Sequence, residues 1–111
     1  MANDEIIRKV LLTQPIAAKQ VRTVEIREIT LGPGQKAGYH RHPCPVFGLI
    51  ASGEALIQVE GKDKKVYDAG EAFYEPQGTP IVHFDNASDT VPMTFVAFYL
   101  IDQESQLIEM L

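Results

Sequence analysis

Apolar and polar residues alternate along most of this chain in short runs separated by glycine and proline. Residues 93–101, Met93-Thr94-Phe95-Val96-Ala97-Phe98-Tyr99-Leu100-Ile101, are the most apolar run and predict a central strand. Residues 21–31 are rich in β-branched side chains, partly alternate, and end at Gly32-Pro33-Gly34. A second strand is predicted near residues 37–42, broken by Pro43-Cys44-Pro45. Residues 46–51, 55–60, 64–67, 71–75 and 81–85 follow as further strands. They are separated by Ser52-Gly53-Glu54, Gly61-Lys62-Asp63, Asp68-Ala69-Gly70 and Pro76-Gln77-Gly78. Strands at spacings of roughly 8–12 residues with such turns predict an all-β sandwich or barrel. The ends are less regular. Residues 6–12 fit a strand or a helical turn, and residues 104–111 fit a short helix with Leu107, Ile108 and Leu111 on one face.

Composition narrows the picture. A chain of 111 residues, 45% apolar and 23% charged, has the size and balance of one globular domain spanning residues 1–111. A net charge of -5 with no basic cluster argues against nucleic acid and anionic membranes as partners. No apolar run reaches the length of a membrane span. The opening Met1-Ala2-Asn3-Asp4-Glu5 is acidic and unlike a secretory signal, and Cys44 has no cysteine to pair with. These features together set a cytoplasmic location as the expectation. Asn86-Ala87-Ser88 matches a glycosylation sequon, read here as coincidental.

The chemistry lies in His40-Arg41-His42, which holds two of the three histidines of the chain. On a strand, residues two apart face the same side, about 6–7 Å apart along the chain. Two imidazoles so placed can converge on one ion and leave other coordination positions open.

Two motifs now give the chain a resemblance to the cupin superfamily, small jelly-roll β-barrels (double-stranded β-helices) of two packed antiparallel sheets. The family's first motif is matched by Gly34, His40, His42 and Gly53, with Val46 where the family has glutamate. The second is matched by Gly70, Pro76 and Gly78, with Ile81 at the usual histidine position, His83 two residues later, and Asn86 three beyond that. The likeness spans about residues 31–101. Gly34, Gly53, Gly70 and Gly78 fall where chain reversals need positive φ.

The resemblance implies a divalent transition metal (Fe, Zn, Ni, Cu or Mn) inside the barrel, held by His40, His42 and His83. His83 enters either through a two-residue insertion at Thr79-Pro80 or because it shares strand parity with Ile81. Three neutral imidazoles without a carboxylate are a sound ligand set for such metals. Asp85 shares parity with His83 and is read either as orienting its imidazole or as a solvated residue. Cys44, between prolines, is read as an inert thiol turned away from the site. Gln58 is placed equally well inside the barrel or on its surface.

Two functions from different classes follow from the resemblance. One is a metal-dependent enzyme acting on a small organic molecule, of dioxygenase, isomerase or decarboxylase type, with its catalytic residues unidentified. The other is a metal-free barrel that binds or senses a small molecule. A homodimer is also expected, because a small jelly roll has open sheet edges and residues 6–12 lie outside the motif core.

Overall fold

The computed structural model describes residues 5–111. Nine strands form two antiparallel sheets, and no helix occurs among the described residues. The longest strands are β1 (Thr23–Leu31) and β8 (Met93–Ile101), paired along their full length from Thr23 opposite Ile101 to Leu31 opposite Met93. On the other side of β8 lies β3 (Val46–Ser52), and beyond it β6 (Ala72–Glu75), so the first sheet runs β1-β8-β3-β6. The apolar strand 93–101 is therefore internal to its sheet. The second sheet runs β5-β4-β7-β2-β9, with β5 at Lys65–Asp68, β4 at Glu54–Val59, β7 at Ile81–Asn86, β2 at His40–Arg41 and β9 at Glu109–Met110.

Alternation in β8 decides which side chains meet the other sheet. Met93, Phe95, Ala97, Tyr99 and Ile101 are buried, and the residues between them are half-buried on the opposite face. From β6, Phe73 packs edge-on against Phe84 of β7 at 5.1 Å between ring centroids, and Phe95 completes the cluster at 4.5 Å from Phe84. Each of these aromatics removes a large apolar surface from water, about 2–3 kcal/mol apiece. Gly48 is required at the centre of β3. A β-carbon there would lie 2.1 Å from the Phe73 ring and 2.6 Å from the Val96 carbonyl oxygen.

Gly34, Gly53, Gly70 and Gly78 all have positive φ, as the turn pattern anticipated. At Gly53 the β3–β4 reversal needs φ of +79°, and a β-carbon would meet the Pro92 carbonyl oxygen at 2.7 Å. Asn86 works as a cross-tie. Its amide donates to the carbonyls of Gly32 and Val91 at 2.9 and 2.8 Å, and its side-chain oxygen accepts the Ser88 N–H. Buried and fully bonded, it is no glycan acceptor in the folded chain.

Two expectations at the chain ends are corrected. Residues 104–111 do not form a helix: Leu107 joins the core while Ile108 and Leu111 are exposed, and Glu109–Met110 pairs with β2 as a strand. Those long-range bonds outweigh a helix of fewer than three turns, which would be marginal alone. Residues 6–12 form neither strand nor helix, and their apolar side chains are exposed. No described helix is long and apolar enough to cross a membrane.

Candidate metal centre

β2 and the residue after it carry His40 and His42 to the same side, into the barrel, where they are 3% and 4% exposed. Their rings meet edge-to-face with centroids 4.9 Å apart. Each is held from behind by a backbone carbonyl. Nδ1 of His40 lies 2.7 Å from the Gly38 oxygen, and Nδ1 of His42 lies 2.7 Å from the Leu107 oxygen. A carbonyl only accepts, so both Nδ1 atoms carry hydrogen and donate. That assignment leaves each Nε2 facing the interior.

Both Nε2 atoms meet one atom, Oε2 of Glu75, at 3.2 Å from His40 and 2.9 Å from His42. Glu75 ends β6 just before Pro76 and is buried. Its direct cross-strand partner in β3 is Val46. The carboxylate absent from position 46 is thus supplied by the neighbouring strand, pointing into the same interior. The ligand-capable atoms of His40, His42 and Glu75 all lie within 4.8 Å of one another.

Charge state follows from these contacts. Burial by itself pushes the Glu75 carboxyl up, but hydrogen bonds from His40 and His42 and their positive charge hold it below the usual carboxylate range. Burial likewise pulls His40 down, but the bond to Glu75, the bond to Gly38 and the Glu75 charge together raise it above the ordinary imidazole value.

The third histidine is placed elsewhere. A register shift between β4 and β7 pairs Gln58 with His83 but Val59 with Ile81, leaving Val82 as the extra residue. The bulge breaks the parity on which Ile81 and His83 would share a face. Ile81 is fully buried directly opposite His40, and Phe84 points into the core. His83 turns to the other face, half-buried, where its Nδ1 meets Asp85 Oδ2 at 3.0 Å. The structure therefore gathers His40, His42 and Glu75 and leaves His83 outside that group. Asp85 does orient an imidazole, that of His83. Gln58 shares the surface side of the barrel with His83 and donates to the Lys62 carbonyl.

Cys44 is fully buried, and burial raises its thiol pKa, as for an inert side chain. Tyr99 packs edge-on against His42 at 5.8 Å. A half-open cleft of about 300 Å³ reaches the edge of His42, lined by Arg41, Pro43, Gly78, Gln106, Ile108 and Glu109. Arg41 and Glu109 form a paired ionic contact at its rim, 2.9 and 3.1 Å. Glu75 was missed from the sequence because no motif holds it. One signal was available: it stands two residues after Phe73, so alternation puts it on the core side of its strand.

A two-sheet β-barrel with two histidines converging on an interior carboxylate is a jelly roll whose interior offers a ligand set that could hold a metal ion. The cupin domain model matches residues 27–99, and the chain belongs to that family. No curated protein matches the sequence significantly. Among solved structures, DMSP lyase DddQ from Ruegeria pomeroyi DSS-3 superposes with a TM-score of 0.68 at 21% identity, over 78% of this chain and 42% of that one. A cupin-like protein from Thermotoga maritima gives 0.68 at 17% identity, over 79% and 64%. Bacillus subtilis oxalate decarboxylase, a protein with Mn(II) centres, gives 0.69 at 24% identity, over 81% and 24%. These likenesses establish a shared fold. This chain spans less than two thirds of the length of each of those proteins.

Proposed function

We propose that this cupin is a metal-dependent enzyme acting on a small organic molecule, with a divalent transition metal held by His40, His42 and Glu75. The supporting observation is the direction of the donors. Both imidazoles spend their Nδ1 hydrogen on a backbone carbonyl, so in the neutral form each presents an Nε2 lone pair to the same carboxylate oxygen. Three lone pairs aimed at one point repel unless a positive charge lies among them, whether protons or a metal. Two histidines and one carboxylate also form a donor set used for catalytic zinc and non-haem iron, with positions left open. A bound metal would supply Lewis acidity or a site for small-molecule coordination.

The chain's own groups have defined tasks in this reading. The carbonyls of Gly38 and Leu107 fix the imidazole orientations, and such supporting bonds raise ligand basicity. Tyr99, Ile81 and Val46 wall the site with mostly apolar surface. The cleft beside His42 is the approach, and its volume is at the small end of ligand sites, which favours a small substrate. Dioxygenation, isomerisation and decarboxylation remain the reaction classes the family resemblance implies.

Metal analysis of protein purified without added metal tests this. The expected result is close to one equivalent of iron, zinc, manganese, nickel or copper in the wild type, and a loss of ten-fold or more in Glu75→Ala. Wild-type protein that stays metal-free after reconstitution would instead support a metal-free binding barrel, with the cluster held together by protons.

A further inference from the structure

The inner face of β1 changes character halfway along. Leu31 and Ile29 stand opposite Met93 and Phe95 and join their apolar packing. Arg27 and Glu25 stand opposite Ala97 and Tyr99, which are buried on that same face, so the two charged side chains project from it as well. Tyr99 is paired on its other side with Val46, and Val46 with Glu75. Glu25, Tyr99, Val46 and Glu75 thus form one row across the inner face, from the edge of the sheet to the carboxylate at the candidate metal centre.

Tyr99 is the unusual member of that row. It is 5% exposed, yet its hydroxyl makes no hydrogen bond among the described residues. A buried phenol ordinarily finds a partner. The hydroxyl is not fully sealed from outside, so a ligand can reach it. Burial pushes its pKa up, and although Arg27 pulls it down, Glu75 adds to the rise, so the phenol keeps its proton and can donate. The Arg27 guanidinium carbon lies 5.0 Å from the centroid of the Tyr99 ring, and the same ring packs against His42. Among the described residues only Nε of Arg27 is engaged, by Glu25, which leaves the other N–H donors of the guanidinium unused. Inward charges can protect an edge strand such as β1 from pairing. Edge protection asks nothing of Tyr99, and it does not account for a buried phenol left without a partner.

We propose that the Tyr99 hydroxyl and the Arg27 guanidinium form a seat for the carboxylate of a small organic acid, held beside His42. A phenol O–H and a guanidinium both donate to carboxylate oxygens, and the planar guanidinium matches the carboxylate plane. The backbones of Tyr99 and Glu75 are two strand spacings apart, about 10 Å, so an acid of a few carbons seated there reaches the centre with its other end. The role of this seat rests on the proposed centre of His40, His42 and Glu75, but its own groups belong to β1 and β8 and bind with or without metal.

NMR titration of the isotope-labelled full chain with acetate, and with acetamide as its uncharged counterpart, tests it in metal-loaded and chelator-treated protein. Acetate should bind saturably at millimolar concentration in both, shifting amides of β1 and β8, and acetamide should bind at least ten-fold more weakly. Tyr99→Phe removes one unbonded oxygen, so fold, melting temperature and metal content should stay as in wild type while acetate binding falls five-fold or more. Arg27→Gln should weaken acetate as much and abolish the preference over acetamide, and Arg27→Lys should recover most of that preference. Acetate that binds only when metal is present, and equally well in Tyr99→Phe and Arg27→Gln, is bound to the metal alone and overturns the seat. No saturable binding up to about 100 mM, or shifts confined to other strands, overturns it equally. A chain that never takes up metal yet binds acetate through Tyr99 and Arg27 removes the proposed activity and leaves the seat standing.

Discussion

Single residues decide the chemistry of this barrel. Val46 and Glu75 face each other across β3 and β6, so the acidic group at the site depends on which of two paired positions carries it. Replacing Val46 with Glu would set a second carboxylate beside the first. In metal-free protein the two negative charges, both buried, should lower stability by about 3 kcal/mol or more. Added zinc or manganese should restore most of the loss, because each carboxylate then has a cation to bind. Melting temperatures with chelator and with metal measure this, and a variant that metal does not rescue would count against the site. His83→Ala makes the complementary comparison. Its imidazole pairs with Asp85 on the other face, so metal content should stay within two-fold of wild type. Loss of metal in His83→Ala with retention in Glu75→Ala would restore the three-histidine arrangement and exclude the present one. Gly48→Ala belongs to the same scale. The new methyl would run into Phe73 and the Val96 carbonyl, an overpacking worth roughly 1–3 kcal/mol, readable by urea denaturation.

At the scale of elements, the tail and β2 act as one unit. Glu109–Met110 pairs with β2, the Leu111 N–H bonds the Tyr39 carbonyl, and the Leu107 carbonyl holds His42. Deleting residues 107–111 should weaken metal binding by about ten- to a hundred-fold, the usual effect of losing a group that orients a ligand. The core aromatics are untouched by the deletion, so folding should survive with a loss of a few kcal/mol, of which burial of Leu107 accounts for about 2. Unchanged affinity in a competition titration would show that the tail does not position His42. This tail also shows where sequence reading ends. The strands of the barrel were legible because glycine and proline punctuate them and their alternation is strong, as in β8. His40 and His42 were legible because a period of two needs only one strand. Glu75 depends on the pairing of β3 with β6, His83 on a bulge at Val82, and the tail on bonds to residues more than sixty positions away. Of the three, only the inward facing of Glu75 has a local signal, its alternation with Phe73; what it meets there, like the other two placements, depends on distant strands.

Across the whole molecule, the buried cluster links stability to pH, and the metal reverses the sign of that link. Consider first protein stripped by chelator. Glu75 has a folded pKa below its ordinary 4.5, so its contribution is present above that value and is lost as pH falls through the folded pKa. His40 has a folded pKa above its ordinary 6.5, so its contribution is complete below 6.5 and is lost as pH rises through the folded pKa. The metal-free barrel should therefore be most stable between about pH 4.5 and 6.5, where the carboxylate is charged and His40 holds its proton. With metal the requirement inverts, because an imidazole must shed its Nε2 proton to bind the ion. The stabilisation given by a fixed excess of metal should be small near pH 5 and grow as pH rises past 6.5. The two profiles of melting temperature should thus diverge on the alkaline side, the metal-free one descending and the loaded one rising or holding level. Thermal melts from pH 4 to 9, with chelator and with zinc, measure both. Parallel profiles would mean that metal and protons do not compete for the same imidazoles, and the cluster of His40, His42 and Glu75 would not be the binding site.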